Sequence, residues 1–148
     1  MTQEVELDDL AGVFADIGRQ FEKIDYQPAL ADFILQLEED HKRRFGLAVS
    51  PSGEPWKPLS EATVAKKKHD TILVETTELY RHLTSGEGIR EVTPGEMIFG
   101  TDRAGAGAHQ EGAPSRNLPA RPHTGIPEEL LASFVDQLAD HTVEELTE

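Results

Sequence analysis

Two prolines bracket the only tryptophan of a 148-residue chain, in Gly53-Glu54-Pro55-Trp56-Lys57-Pro58-Leu59-Ser60. Each proline fixes its own φ and pushes the residue before it into an extended conformation. Trp56 is therefore presented on a stiff, extended segment. A large ring held this way is expected to plug a core or a subunit contact. Ser60 is a suitable N-cap, and Thr63 to Lys68 reads as a short lysine-rich helix.

Before this segment the apolar spacing is helical. Leu7, Leu10, Phe14, Ile17, Phe21 and Ile24 step by three and four, which predicts one helix over most of residues 6–24. Its stripe is expected to lie on a sheet or another helix, with subunit packing as the lesser alternative. Pro28 suits the first turn of a second helix, in which Leu30, Phe33, Ile34, Leu37, His41 and Phe45 share a face and Gly46 marks the end. Lys42-Arg43-Arg44 reads as a solvated helix end.

After Trp56 the signals are shorter. Ile72-Leu73-Val74 is a brief apolar run. Thr76 or Thr77 can cap a turn carrying Leu79 and Leu83. Residues 88–93 and 96–99 flank Pro94-Gly95, the clearest strand–turn–strand pattern in the chain. Residues 103–107 are rich in glycine and alanine and read as mobile. His109-Gln110 reads as the start of a further strand, and residues 113–122 as stiff, proline-bearing arms. A last helix is expected from Pro127 through Leu138, with Glu144, Glu145 and Glu148 fraying because acids oppose the dipole at that end. The fold expected is α+β in one domain. A helical part at 5–46 and an acidic C-terminal helix at 126–146 pack on a small antiparallel sheet with long Pro/Gly-rich loops.

Charge and residue inventory exclude several functions. The net charge is -14, and residues 124–148 hold seven acids and no base, which is no footprint for neutralising phosphates. With no cysteine there is no disulfide, thiol nucleophile or cysteine metal site. The six histidines, at 41, 69, 82, 109, 123 and 141, form no i, i+4 pair on a helix. His109 and His123 could meet across strands, with Glu111 the only suggestive carboxylate, too little for a metal centre. Gly86-Glu87-Gly88 and Gly105-Ala106-Gly107 precede no phosphate-binding helix, and no Gly-x-Ser-x-Gly elbow occurs. No catalytic residue, cofactor or metal is expected. No apolar run approaches a membrane span and no signal peptide is recognised, so a soluble protein made in the cytoplasm is expected.

Several short motifs follow one another in a fixed order. They are Gly53-x-Pro55-Trp56-x-Pro58-Leu59-Ser60, then Ile72-Leu73-Val74-x-Thr76-x-x-Leu79 with Leu83-Thr84, then Phe99-Gly100-Thr101, Ala108-His109-Gln110-x-Gly112 and Pro119-Ala120-Arg121-Pro122. In this order they resemble the virion morphogenesis, or tail-completion, family of tailed bacteriophages, Mu-like members included, over about residues 45–125. The chain departs from that pattern at Thr76-Thr77, in the Gly/Ala segment before His109, and at His123-Thr124. The resemblance implies a non-enzymatic virion protein of the head–tail junction, a neck, tail-completion or tail-terminator part that acts as a ring. The ring would be sixfold, with other neck, connector or tail-tube proteins as neighbours, and the genome would pass through it without specific binding. The alternative is a transient assembly factor that binds capsid or tail proteins and leaves. On this reading the packing or subunit-interface residues are Trp56, Pro58, Leu59, His109, Gln110, Arg121 and Pro122, the last four at a sheet edge or interface. The protein would be found in the virion, after assembly in the host cytoplasm.

Overall fold

The computed structural model describes residues 7–67, 72 and 77–148. Lys68, His69, Leu73, Val74 and Thr76 lie outside those residues. Among the described residues, six α-helices and one two-stranded antiparallel sheet make an α+β fold. In chain order they are α1 (Leu7–Glu22), α2 (Gln27–Leu47), α3 (Glu61–Lys67), α4 (Glu78–Thr84), β1 (Ile89–Thr93), β2 (Glu96–Gly100), α5 (Ala106–Glu111) and α6 (Glu128–Thr147).

α2 is the axis of the molecule. Pro28 occupies its first turn, where a missing N–H costs nothing. The helix ends at Ala48, whose left-handed φ of 54° lets its N–H reach the carbonyls of Arg44 and Phe45. One side of α2 puts Leu30, Phe33 and Leu37 against Phe134 of α6, with the Phe33 and Phe134 rings stacked 3.8 Å apart. Further along, Phe45 joins Trp56, Leu79, Leu83 and Ala106 in a second cluster. Phe99 packs against both.

The hairpin covers α2 with one face. Alternation places Arg90 and Val92 of β1 beside Phe99 and Met97 of β2 on the half-buried side, in register Arg90↔Phe99 and Val92↔Met97. Arg90 stacks over the Phe99 ring at 4.0 Å and donates to Glu38 of α2 at 3.1 Å and to the His82 carbonyl of α4 at 2.7 Å. Gly88 is required where the chain enters β1. A Cβ there would meet the carbonyl oxygens of Gly100 and His82 at about 2.5 Å.

Four expectations are corrected. α1 is a helix, but its stripe lies on neither the sheet nor α2. Every residue from Asp8 to Lys23 is exposed, and only Ile24 just beyond the helix is buried. His109-Gln110 belongs to a helix, α5, not a strand. Six residues of Ala, Gly, His and Gln carry too little periodicity to distinguish the two. Residues 103–107 are not all loop, since Ala106 and Gly107 open α5 and Ala106 is buried. The acidic end of α6 stays helical to Thr147. There His141 donates to the Asp25 carbonyl, and the Tyr26 hydroxyl bonds Thr142 at 2.7 Å, tying the last turns to the α1–α2 joint.

Candidate functional site

Residues 121–125 form a strap across the end of α2, and most of the motif residues of the sequence meet there. Trp56 is 5% exposed. Its ring meets Phe45 edge-on at 5.2 Å, its backbone N–H donates to Ala48, and its indole N–H donates to the Pro122 carbonyl at 2.7 Å. The proline bracket thus fixes a ring that is apolar on its faces and hydrogen-bonded at its tip.

Arg121 reaches back to the same bracket. Its Nε donates to the Lys57 carbonyl at 2.8 Å and its Nη2 to the Pro58 carbonyl at 3.1 Å. Arg121 is buried, and burial holds its pKa below the ordinary arginine value. Its partners are carbonyls, so it works as a two-pronged clamp between segments over sixty residues apart.

α5 holds the strap from the other side. The Gln110 side-chain oxygen accepts from the backbone N–H groups of His123 and Thr124, at 2.9 and 3.0 Å. Its amide donates to the Thr124 carbonyl at 3.1 Å. The His109 carbonyl accepts from the Arg121 N–H at 2.7 Å. Gly112 lets this pairing close, since a Cβ at its φ of 83° would press on Ala120 at 2.9 Å.

Beneath the strap lies a buried polar row on α2. Arg44 is 1% exposed, so it is no part of a solvated helix end. Its Nε donates to Asp40 at 2.8 Å, and its two Nη groups donate to the carbonyls of His123 and Gly125, at 2.8 and 3.1 Å. All of its fork is directed at partners, which is what makes a buried guanidinium tolerable. His41 donates from Nδ1 to the Leu37 carbonyl and accepts at Nε2 from the Gly125 N–H. Burial, and then the Arg44 charge, lower its pKa to about 4. His123 donates from Nε2 to the Ala106 carbonyl at 3.0 Å and accepts from the Thr124 hydroxyl, and burial lowers its pKa too.

Of the residues singled out in the sequence, Trp56, Pro58, His109, Gln110, Arg121 and Pro122 converge on this strap, whereas Leu59 makes no hydrogen bond there. His109, Gln110, Arg121 and Pro122 lie on α5 and the strap, not on an edge of the sheet. The proline-bearing segment turns back on itself through the Ala113↔Leu118 bridge, so it is no free arm. Arg44 and Gly125 escaped sequence reading, whereas the sequence places His41 on the shared face of its helix and offers His123 only as a partner of His109. Arg44 had a signal: it falls one turn from His41 and beside Phe45 on the buried face of α2, where an arginine must find partners.

The strap offers carbonyls and cations that already satisfy one another, and no group of three or more metal-ligating side chains occurs among the described residues. Among the same residues no helix is long and apolar enough to cross a membrane. A second, different surface lies on α1 and α6. Phe14 is 68% exposed, and Leu10, Ile17, Phe21, Leu131, Val135, Val143 and Leu146 are also exposed.

A family model described as the phage virion morphogenesis family matches residues 5–142. The chain belongs to that family. No curated protein and no solved structure matches it.

Proposed function

From membership of the phage virion morphogenesis family, we propose that this protein is a non-enzymatic part of the phage particle. It sits at the head–tail junction or the tail end, as a neck, tail-completion or terminator component. There it assembles with copies of itself into a ring, which joins neighbouring neck or tail proteins and completes the tail.

One structural observation carries the self-assembly part. α1 is a sixteen-residue helix whose described side chains are all exposed, with its large apolar residues along one face. A helix of that length is marginal in water without tertiary packing, and patches of this kind mark interaction sites. The strap supports the structural reading from the other direction. The family-like residues Trp56, Gln110 and Arg121 spend their hydrogen bonds inside the subunit. The acidity of the chain suits a ring through which a genome passes, because like charges repel and a basic bore would bind phosphates.

The test is a phage lacking this chain, examined by electron microscopy, with the protein quantified in purified wild-type particles. Filled heads and unjoined or incomplete tails, together with a fixed copy number per particle, are the expected result. Defective assembly with the protein absent from particles would favour the transient assembly factor. Normal infectious particles would overturn both readings.

A further inference from the structure

Resting on the self-assembly reading above, we propose that the apolar face of α1 docks on the outer apolar face of α6 of a second copy of this chain. At about 100° per residue, Val13, Ile17, Leu10, Phe21, Phe14 and Ala11 fall within an arc of roughly 160° that contains no charge. Asp8, Asp9, Asp16, Arg19, Glu22 and Lys23 all fall on the opposite side. Gly18 flanks the stripe, and a Cβ there would meet nothing within 4 Å of its own chain. Interior glycine costs a helix about 1 kcal/mol relative to alanine. Gly12, on the charged side of α1, is equally open, so both faces of the helix are free of cover at these positions.

α6 carries the matching surface. Its inner face packs Phe134 on α2. Leu131, Ala132, Val135, Ala139, Val143 and Leu146 occupy a second arc, roughly 120° wide, and all are exposed. From Leu131 to Leu146 that arc is about 24 Å long, the same as α1 at 1.5 Å per residue.

α1 touches α6 of its own subunit near their C-terminal ends, where Gln20 and Lys23 border Leu146, yet Leu10, Val13, Phe14, Ile17 and Phe21 stay exposed. Its C-terminal end is pinned beside the C-terminal end of α6. Ile24 is buried, the Tyr26 N–H donates to Pro94 at 2.9 Å, and His141 holds the Asp25 carbonyl.

The area is sufficient. The exposed portions of the apolar side chains sum to roughly 450 Å² on α1 and about 300 Å² on α6. With apolar area about 60% of an interface, complete burial of both arcs gives a contact of at most roughly 1,250 Å², at the low end of specific complexes. Because two different surfaces meet, the contact is head-to-tail and closes either as a ring or as a reciprocal exchange.

The experiment uses the full chain, which has no cysteine of its own. Ile17→Cys and Val135→Cys are made singly, mixed, and oxidised. The mass of wild type and of a Phe14→Asp/Ile17→Asp variant is followed by light scattering, with circular dichroism as the fold control. Covalent dimers in the mixture, a multi-copy wild type and a folded monomeric variant are expected, with at least a tenfold weaker self-association. A double-cysteine chain that closes within one subunit would overturn the proposal. So would a variant that assembles like wild type, which would leave the ring reading standing on another surface. A wild type that stays monomeric would remove both. A reciprocal dimer would keep the docking and remove the ring.

Discussion

The strap over α2 and the face of α1 are opposite solutions to the same requirement. At the strap, polar groups are buried, and Arg44, Arg121 and Gln110 each find partners within the subunit. On α1, apolar groups are exposed, and the subunit supplies no cover for Phe14 or Val13. A buried arginine with carbonyl partners fixes one geometry and is costly to disturb. An uncovered apolar face contributes nothing to the subunit until a partner arrives. Stability is thus expected to be concentrated at the strap and assembly at α1.

The largest expected effect sets the two apart directly. Trp56→Ala removes a buried ring and its hydrogen bond to Pro122, and should cost about 3–5 kcal/mol of subunit stability. Phe14→Ala, at 68% exposure, should change monomer stability by less than about 0.5 kcal/mol. Urea unfolding at concentrations where the protein is monomeric measures both. Equal losses would show that α1 already has a cover within its own chain. No loss at Trp56 would show that the strap is not where the subunit is held.

The division between legible and illegible features follows the same line. α2, the hairpin and α6 were readable because periodicity is local. Leu30, Phe33 and Leu37 announce their shared face within eight residues. The strap was not readable, because Arg44 and the His123 carbonyl are 79 residues apart and no spacing encodes a clamp onto backbone carbonyls. Arg121 and Gln110 stood out only through their place in an ordered set of motifs. α1 lies between these cases. Its stripe showed that a face must be covered, but a sequence period does not name the covering surface, and neither the sheet nor another helix of the subunit covers it.

A smaller effect concerns pH. His41 is held neutral, with Arg44, Asp40 and His123 nearby, and its pKa is about 4 against 6.5 for a free histidine. The unfolded chain therefore binds a proton that the folded chain refuses. Stability is full above pH 6.5 and falls as pH drops from 6.5 towards 4, by about 3 kcal/mol at most from this residue. His123, lowered in the same direction, adds to the loss. Protonated His41 would also set an N–H against the Gly125 N–H it now accepts. The arcs of α1 and α6 contain no histidine and no carboxylate, so self-association of the folded protein should be flat between about pH 6.5 and 5.5. Thermal melts across this range should fall for wild type and fall less for His41→Gln, measured against its own value at pH 7.5. A melting temperature independent of pH would show that His41 is not held neutral by the fold.

The smallest expected effect is that of salt, and it separates the regions by the sign of their charges. Beneath the strap, Arg44 pairs with Asp40 one turn away on α2, in a site where the guanidinium is 1% exposed, and ions in solution screen such a pair weakly. The proposed α1–α6 joint brings together two acidic borders. Asp8, Asp9, Asp16 and Glu22 outnumber Arg19 and Lys23 behind the stripe of α1, and Asp136, Asp140 and Glu145 lie beside that of α6. Exposed like charges oppose the contact, and each pair contributes only a few tenths of a kcal/mol. Raising the salt from 0.05 to 0.3 M shortens the screening length from roughly 14 to 6 Å and should therefore tighten self-association by a few-fold, while the monomer's urea midpoint barely moves. Asp136→Lys with Asp140→Lys should reproduce the gain at low salt and abolish its salt dependence. Association that weakens with salt would mean that opposite charges hold the copies together. The basic residues of α2 and α3, such as Lys42 and Lys66, would then be the place to look for the joint, and the apolar face of α1 would be left to another partner.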